Sequence, residues 1–138
     1  MTILCISNHF EASACLQKGD KIFAASEERF SRKKGLSGIP TSAINWILSS
    51  SNTKIKDCKK IIYCSFSGTK PNLLQLRAIN EDLNNCNDVY HKKLILYRKS
   101  TEINYNTKSI SSFKKWIALK KIPHNKVVYL DHHEAHAR

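Results

Sequence analysis

The sequence lacks the features that mark several common protein classes. Its five cysteines are odd in number and form no CxxC pair, which indicates neither a disulfide framework nor a zinc ribbon. No run approaches the ~20 apolar residues of a membrane span, and no basic leader precedes the first apolar stretch as it does in a signal peptide. Internal repeats and Gly/Ser-rich linkers are also missing. We therefore expect a cytoplasmic protein of about one domain, with no membrane partner.

Acidic residues are scarce. The 138 residues contain 11 Asp and Glu against 23 Lys and Arg, a formal net charge of +12. The lysines occur in scattered pairs rather than one block, and charge spread in this way attracts anions without specifying one. A small basic nucleic-acid-binding module is the alternative interpretation, because aromatic residues lie among these lysines, namely Tyr90, Tyr97, Tyr105 and Trp116.

Short apolar runs predict five strands, at residues 2–7, 12–17, 22–26, 60–65 and 127–130. The first three are expected to form a meander in one sheet, because Gly19-Asp20 accepts the positive φ angles of a tight hairpin. Three cysteines lie within these runs and are expected to be small core residues, namely Cys5, Cys15 and Cys64.

Two stretches have helical patterns. Residues 42–51 place Ile44 and Ile47 on one face, with Thr41 or Ser42 as the expected cap. The second pattern has the i, i+3, i+6, i+7 spacing of an amphipathic helix that Pro123 should end, and its apolar positions are Ile110, Phe113, Trp116 and Ile117. Trp116 and Phe113 are better explained as core residues of this helix than as a nucleic-acid surface.

Residues 67–109 show no firm period and are expected to form an irregular helical insert. The order β-β-β-α-β-insert-α-β predicts an α/β fold with a mixed sheet. In open sheets of this kind, ligands gather at the carboxyl ends of the strands. Asp131 and His132 follow one such strand, and Ser7, Asn8 and His9 follow another.

The chain closes on "DHHEAHAR", which contains a possible metal-binding pair. If a helix begins near Asp131, His132 and His136 share one face and can bind one divalent ion, whereas His133 is rotated away. The spacing is not HExxH, which excludes the zinc-peptidase interpretation. A stable site needs three or four protein ligands, and His9 and Glu11 are the only clustered candidates elsewhere, so the site is half built in this chain.

The stretches "ASACL", "GDKIFAASEERFSRKKG" and "IPTSAI", followed much later by "HHEAHA", resemble the N-terminal part of the O-carbamoyltransferases, which act in nodulation and antibiotic tailoring. Two separated motifs occur in the family's order and at compatible spacing. The resemblance implies a ribonuclease-H-like half-domain of the actin and sugar-kinase superfamily. Residues 1–138 would be an incomplete N-terminal domain of such an enzyme.

The resemblance also implies an activity. In this family a C-terminal domain makes carbamoyladenylate from carbamoyl phosphate and ATP, and the N-terminal domain passes the carbamoyl group to a hydroxyl of the acceptor. A divalent metal such as Fe(II) is held by an HxxxH pair and a later aspartate, and the matching positions here are His132 and His136.

Other site residues are candidates only. His9 and Glu11 are catalytic candidates, although the family's "HD" before "ASA" is Phe10-Glu11 here. Arg32, Lys33 and Lys34 are candidates for substrate or nucleotide binding, and a solvated surface turn explains them equally well. Because the later metal ligand and the adenylate-forming domain have no counterpart in these residues, we expect the chain alone to be inactive and to depend on the missing C-terminal part of the enzyme.

Overall fold

A computed structural model describes residues 1–8, 11–65 and 73–131 of the chain. The strands in this part are β1 Thr2–Ser7, β2 Ser13–Lys18, β3 Lys21–Ser26, β4 Lys60–Ser65 and β5 Val127–Asp131. The α-helices are α1 Glu28–Ser31, α2 Thr41–Ser50, α3 Leu73–Asn85 and α4 Val89–Leu119. Short 3-10 turns at Ile55–Asp57 and His124–Lys126 precede β4 and β5.

The strands form one mixed sheet in the order β3-β2-β1-β4-β5. β1 pairs antiparallel with β2, and β2 pairs antiparallel with β3, whereas β1–β4 and β4–β5 are parallel pairs. Gly19 has a φ of 59° at the hairpin between β2 and β3, as its sequence predicts. The predicted α/β fold with a leading meander is confirmed, with strand ends displaced by one residue at most.

One face of the sheet carries the core. Alternate strand residues are fully buried there, including Leu4, Leu16 and Tyr63. Helix α2 packs its Ile44 and Ile47 against this face, and the last turns of α4 add Phe113, Trp116 and Ile117. The Phe113 ring stacks on the Tyr63 ring with 4.1 Å between centroids. Both aromatics that the sequence placed in the core, Phe113 and Trp116, are therefore confirmed there.

The amino terminus of α2 is capped from a distance. The predicted caps, Thr41 and Ser42, make no capping bond with their side chains. Instead the Glu27 carboxylate accepts the N–H groups of Ser42 at 3.1 Å and Ala43 at 2.9 Å. A carboxylate at this end of a helix accepts hydrogen bonds from the free amides, and its negative charge is attracted to the positive end of the helix dipole. A local sequence pattern cannot reveal this cap, because it comes from an earlier turn of the chain.

The expected insert is helical and more regular than its sequence pattern indicates. Helix α4 begins at Val89, where the Asp88 carboxylate accepts the His91 N–H at 2.7 Å, and it continues without a break through position 109. The helix ends at Leu119, before Pro123, and a left-handed residue, Lys121 (φ 51°), follows soon after. There the Ile122 N–H donates to the Ile117 carbonyl at 3.1 Å, which closes the last turn.

Candidate functional site

The parallel pairing brings the carboxyl ends of three strands to one edge of the sheet. Ser7 at the end of β1 is in register with Cys64 in β4, and Ser65 at the end of β4 is in register with Asp131 at the end of β5. The segment that contains His9 therefore leaves the sheet two strands away from the segment that begins with His132. The fold thus places the starting points of the two motif segments at the same edge, as the sequence predicts.

A buried hydrogen-bond network holds the chain where it leaves β1. Asn8 is 1% exposed, and its Oδ1 accepts the Tyr63 hydroxyl at 2.7 Å and the Ser109 hydroxyl at 2.6 Å. The Asn8 side-chain amide also donates to the Ser109 carbonyl at 3.0 Å. A residue of α4 is thereby joined to the residue before His9, although 101 positions separate them. The sequence alone does not reveal this network, because neither Tyr63 nor Ser109 lies in a motif.

The turn after β1 is fixed on both sides by the loop before α2. The Gly38 N–H donates to the Asn8 carbonyl at 3.0 Å, and the Ala12 N–H donates to the Leu36 carbonyl at 2.9 Å. Between these bonds, Glu11 is exposed and has a φ of 62°, an uncommon conformation for a residue with a side chain. Strained backbone of this kind often occurs at ligand-binding turns. His9 lies outside the described residues.

The basic candidates for substrate or nucleotide binding lie in the loop between α1 and α2. Arg32, Lys33 and Lys34 follow α1, and all three side chains are exposed. Arg32 has a φ of 56°, and its N–H donates to the Glu28 carbonyl at 2.8 Å, which turns the chain at the end of this helix. Farther along the same loop, Leu36 and Gly38 are bonded to the two sides of the turn after β1. The exposure of the three basic side chains fits an anion-binding role and a solvated loop equally well.

A cavity of about 450 Å³ opens on the sheet face opposite the core. We call it the sheet-face cavity, and its lining includes Cys5, Ser7, Ser13, Cys15, Ser26 and Arg29. Cys5, Cys15 and Cys64, which the sequence placed in the core, line this cavity and are only half-buried. They belong to the second sheet face because strand side chains alternate, and the cysteine that is fully buried in the core is Cys58.

Burial changes the chemistry of two of these thiols. Desolvation raises the pKa of the Cys5 thiol above its ordinary value, and the neighbouring Cys15 and Cys64 raise it further. Burial also raises the pKa of Cys15. Both thiols are therefore neutral at pH 7, and they add no negative charge to the cavity.

The chain matches a family model over almost its whole length. The model describes the N-terminus of carbamoyltransferases, and it covers residues 2–138. The chain belongs to the carbamoyltransferase family. This agrees with the resemblance carried by "ASACL" and "HHEAHA", and the predicted family is confirmed.

A second comparison gives one archaeal relative of this carbamoyltransferase N-terminal region. The uncharacterized protein MJ1051 of Methanocaldococcus jannaschii is 33% identical over 118 residues. The match includes 85% of this chain and 21% of the relative, so the chain spans about a fifth of the relative's length.

The metal ligands expected in a carbamoyltransferase, His132 and His136, lie outside the described residues. In residues 1–8, 11–65 and 73–131, no group of three or more His, Cys, Asp or Glu side chains is arranged to hold an ion. Strand β5 ends at the sheet edge, directly before the motif, and no other described feature bears on this site. The ligand pair therefore stays a prediction. Within the same residues, no helix is long and apolar enough to cross a membrane.

Proposed function

We propose that this chain is the opening portion of an ATP-dependent O-carbamoyltransferase. The complete enzyme would transfer a carbamoyl group from carbamoyl phosphate, through carbamoyladenylate, to a hydroxyl of a sugar or another small molecule. The observation that carries the proposal is the family match over residues 2–138. The shared sheet edge at which β1 and β5 end supports it, because both family motifs begin there.

The proposed transfer needs a base and an anion-binding group at this edge. The acceptor oxygen bonds to the carbamoyl carbon, the bond from that carbon to the adenylate phosphate oxygen breaks, and AMP leaves with the bonding electrons. The hydroxyl proton passes to a base, for which His9 and Glu11 are the candidates. Arg32, Lys33 and Lys34 would attract the phosphate groups, and their exposure leaves them free to move onto a ligand.

The residues after β5 would hold the metal. Two neutral imidazoles four positions apart suit a divalent transition metal such as Fe(II), so His132 and His136 are the proposed ligands. When bound, such a cation supplies Lewis-acid stabilisation of phosphate charge. A third ligand would come from residues outside this chain, in keeping with the aspartate that the resemblance implies.

The activity is tested with carbamoyl phosphate, ATP and a sugar acceptor while pyrophosphate release and carbamoylated product are followed. We expect no turnover by the purified chain alone, and restored turnover when the remaining portion of a family member is supplied as a second chain. His9→Ala and Glu11→Gln should then lower kcat, whereas Lys56→Ala, an exposed residue away from this edge, should not. Turnover by the 138-residue chain alone would contradict the proposal that the chain needs the remaining portion of the enzyme.

Metal binding is tested separately by calorimetric titration with Fe(II) or Zn(II). Affinity should be weak, and it should fall as the pH drops through about 6.5, where histidine protonates. His132→Ala and His136→Ala should each weaken binding by at least about tenfold, and the matched variant His133→Ala should change it little. If His133→Ala alone abolishes binding, the ligand pair has been assigned one residue out of register.

A nucleic-acid-binding module is the second candidate, and one observation favours it. Tyr90 and Tyr97 on α4 are 68% and 69% exposed, and they lie among the exposed Lys92 and Lys93. Exposed aromatic rings between cations suit stacking on single-stranded bases. Fluorescence anisotropy with a labelled single-stranded RNA tests this candidate: binding that Tyr90→Ala and Tyr97→Ala both weaken would support it, and no binding at low salt would eliminate it.

A further inference from the structure

Three serine hydroxyls form one row across the second face of the sheet. Ser7 in β1 is in register with Ser13 in β2, and Ser13 is in register with Ser26 in β3. All three line the sheet-face cavity and are half-buried. Register partners on one face of antiparallel strands have Cβ atoms about 5 Å apart. The row therefore extends about 10 Å from Ser7 to Ser26, and a small molecule of about that length can meet all three hydroxyl groups.

These polar groups have no partner within the described part of the chain. No hydrogen bond joins the three hydroxyls to any residue in it, and Arg29, which lines the same cavity, forms neither a hydrogen bond nor an ion pair there. The acidic residue directly before it, Glu28, forms no ion pair in the described part of the chain, and the Glu27 carboxylate is already bound to two amides of α2. The three hydroxyls are half-buried and Arg29 is exposed, and polar groups of this kind without protein partners are bound by water or by a ligand.

The electrostatic setting favours an anion. Arg29 supplies a permanent positive charge with a planar set of donors that suits phosphate and carboxylate groups. The neutral thiols of Cys5 and Cys15 add no opposing charge, and the net charge of +12 attracts anions to the whole chain. Three hydroxyls and one guanidinium around a volume of about 450 Å³ leave room for more than a bare oxyanion.

We propose that the sheet-face cavity is a binding site for a small molecule that carries a phosphoryl or carboxylate group, with Arg29 and the serine row as its ligands. The site is on the sheet face opposite the core, and its serine row lies at the end of that face where the turn after β1 begins. The proposal does not depend on carbamoyl transfer, because binding can be measured without any reaction.

The test is an amide chemical-shift titration of the full 138-residue chain with inorganic phosphate and, in a second series, with acetate. We expect saturable shifts at Ser7, Ser13 and Ser26 in at least one series, and the tighter series identifies the preferred group. Arg29→Ala should weaken binding at least about tenfold, because it removes charge-assisted hydrogen bonds, and Ser13→Ala should weaken it about threefold.

The matched control is Arg98→Ala, which removes the same charge from an exposed position on α4. Binding by this variant should equal that of the unchanged chain, and thermal unfolding of each variant shows whether it remains folded. If Arg29→Ala folds less well, Arg29→Lys serves in its place, because it keeps the charge and loses the planar donor set. The proposal would be overturned if Arg29→Ala and Arg98→Ala lose the same amount of anion affinity, or if the chemical shifts of the serine row never saturate. Either result would show only general attraction of anions to a basic chain. Neither result would bear on the carbamoyl-transfer assay.

Discussion

The sheet region and the helical hairpin of this protein are built on different principles. The sheet region, formed by the five strands, α2 and the end of α4 from Ile110, buries nearly all of the core residues. The helical hairpin, residues 73–108, consists of α3 and the earlier part of α4, and Ile79 is its one fully buried residue among those whose side chains the structure describes. Its large apolar residues are mostly in water, as at Val89, Tyr90 and Tyr97. Stability should therefore be concentrated in the sheet region.

Helix α4 belongs to both regions, which makes the comparison direct. Its 31 residues extend about 46 Å at 1.5 Å per residue, and the core residues among its described side chains lie in its last turns. Side-chain contacts with α3 support the earlier part, including the Lys99 ammonium that donates to the Asn80 side chain at 2.7 Å. Several hydroxyls in this helix bond back to carbonyls three or four residues earlier, as Thr107 does to Ile103, which contributes little to helix stability.

The largest expected effect comes from the core end of α4. Phe113→Ala removes a fully buried ring that stacks on Tyr63, and the cavity it leaves should lower the free energy of unfolding by about 3–5 kcal/mol. Tyr97→Ala, on the same helix but exposed, should change it by less than about 0.5 kcal/mol. Urea denaturation of both variants measures the difference. Equal losses would mean that the two regions do not differ in burial as described.

Hydrogen exchange tests the same contrast without mutation. Amides in the α4 segment before Ser109 should exchange at least about a hundredfold faster than those of Trp116 and Ile117, because the hairpin can open without unfolding the core. The measurement is exchange followed by NMR or by mass spectrometry of peptides. Uniform protection along the whole of α4 would show that hairpin and sheet unfold as one unit.

The buried network at the junction of the two regions should have an intermediate effect. Asn8→Ala removes the acceptor of two hydroxyls and should lower the free energy of unfolding by about 2 kcal/mol, since buried polar groups lose their partner. Tyr63→Phe should cost less, about 1 kcal/mol, because Ser109 still bonds to Asn8. Asn84→Ala, an exposed residue in α3, is the control for thermal unfolding. A near-neutral Asn8→Ala would mean that water replaces the lost bonds.

The smallest effect is a pH dependence in the sheet region. Burial raises the pKa of Cys58, and Asp57 raises it further while Lys126 opposes the change. Above pH 8.5, the ordinary pKa of a thiol, the unfolded chain loses this proton before the folded chain does, so stability should fall as the pH rises further. Cys58→Ala should flatten the decline of Tm between pH 8 and 10 while leaving the curve near pH 6 parallel to that of the unchanged chain. If Cys58→Ala leaves the slope of Tm against pH unchanged, titratable groups other than Cys58 cause the decline in Tm.

The sequence by itself determined the elements whose signals are local. Short apolar runs bounded by polar residues and turn signals predicted the five strands to within a residue at each end. Gly19 predicted the hairpin, and the spacing of Phe113, Trp116 and Ile117 predicted the buried end of α4. The motifs "ASACL" and "HHEAHA" are sufficient to identify the family.

Only the tertiary structure decided the features that depend on residues far apart in the chain. The Glu27 cap of α2, the Asn8 network and the row of three serines join side chains that no local window contains together. The exposed part of α4 has no apolar stripe buried against the sheet, so its sequence shows no helical period. The length of this helix is therefore visible only in the structure. The half-buried positions of Cys5, Cys15 and Cys64 have the same kind of cause. An apolar run predicts burial, but strand register and helix packing decide which face of the sheet is covered.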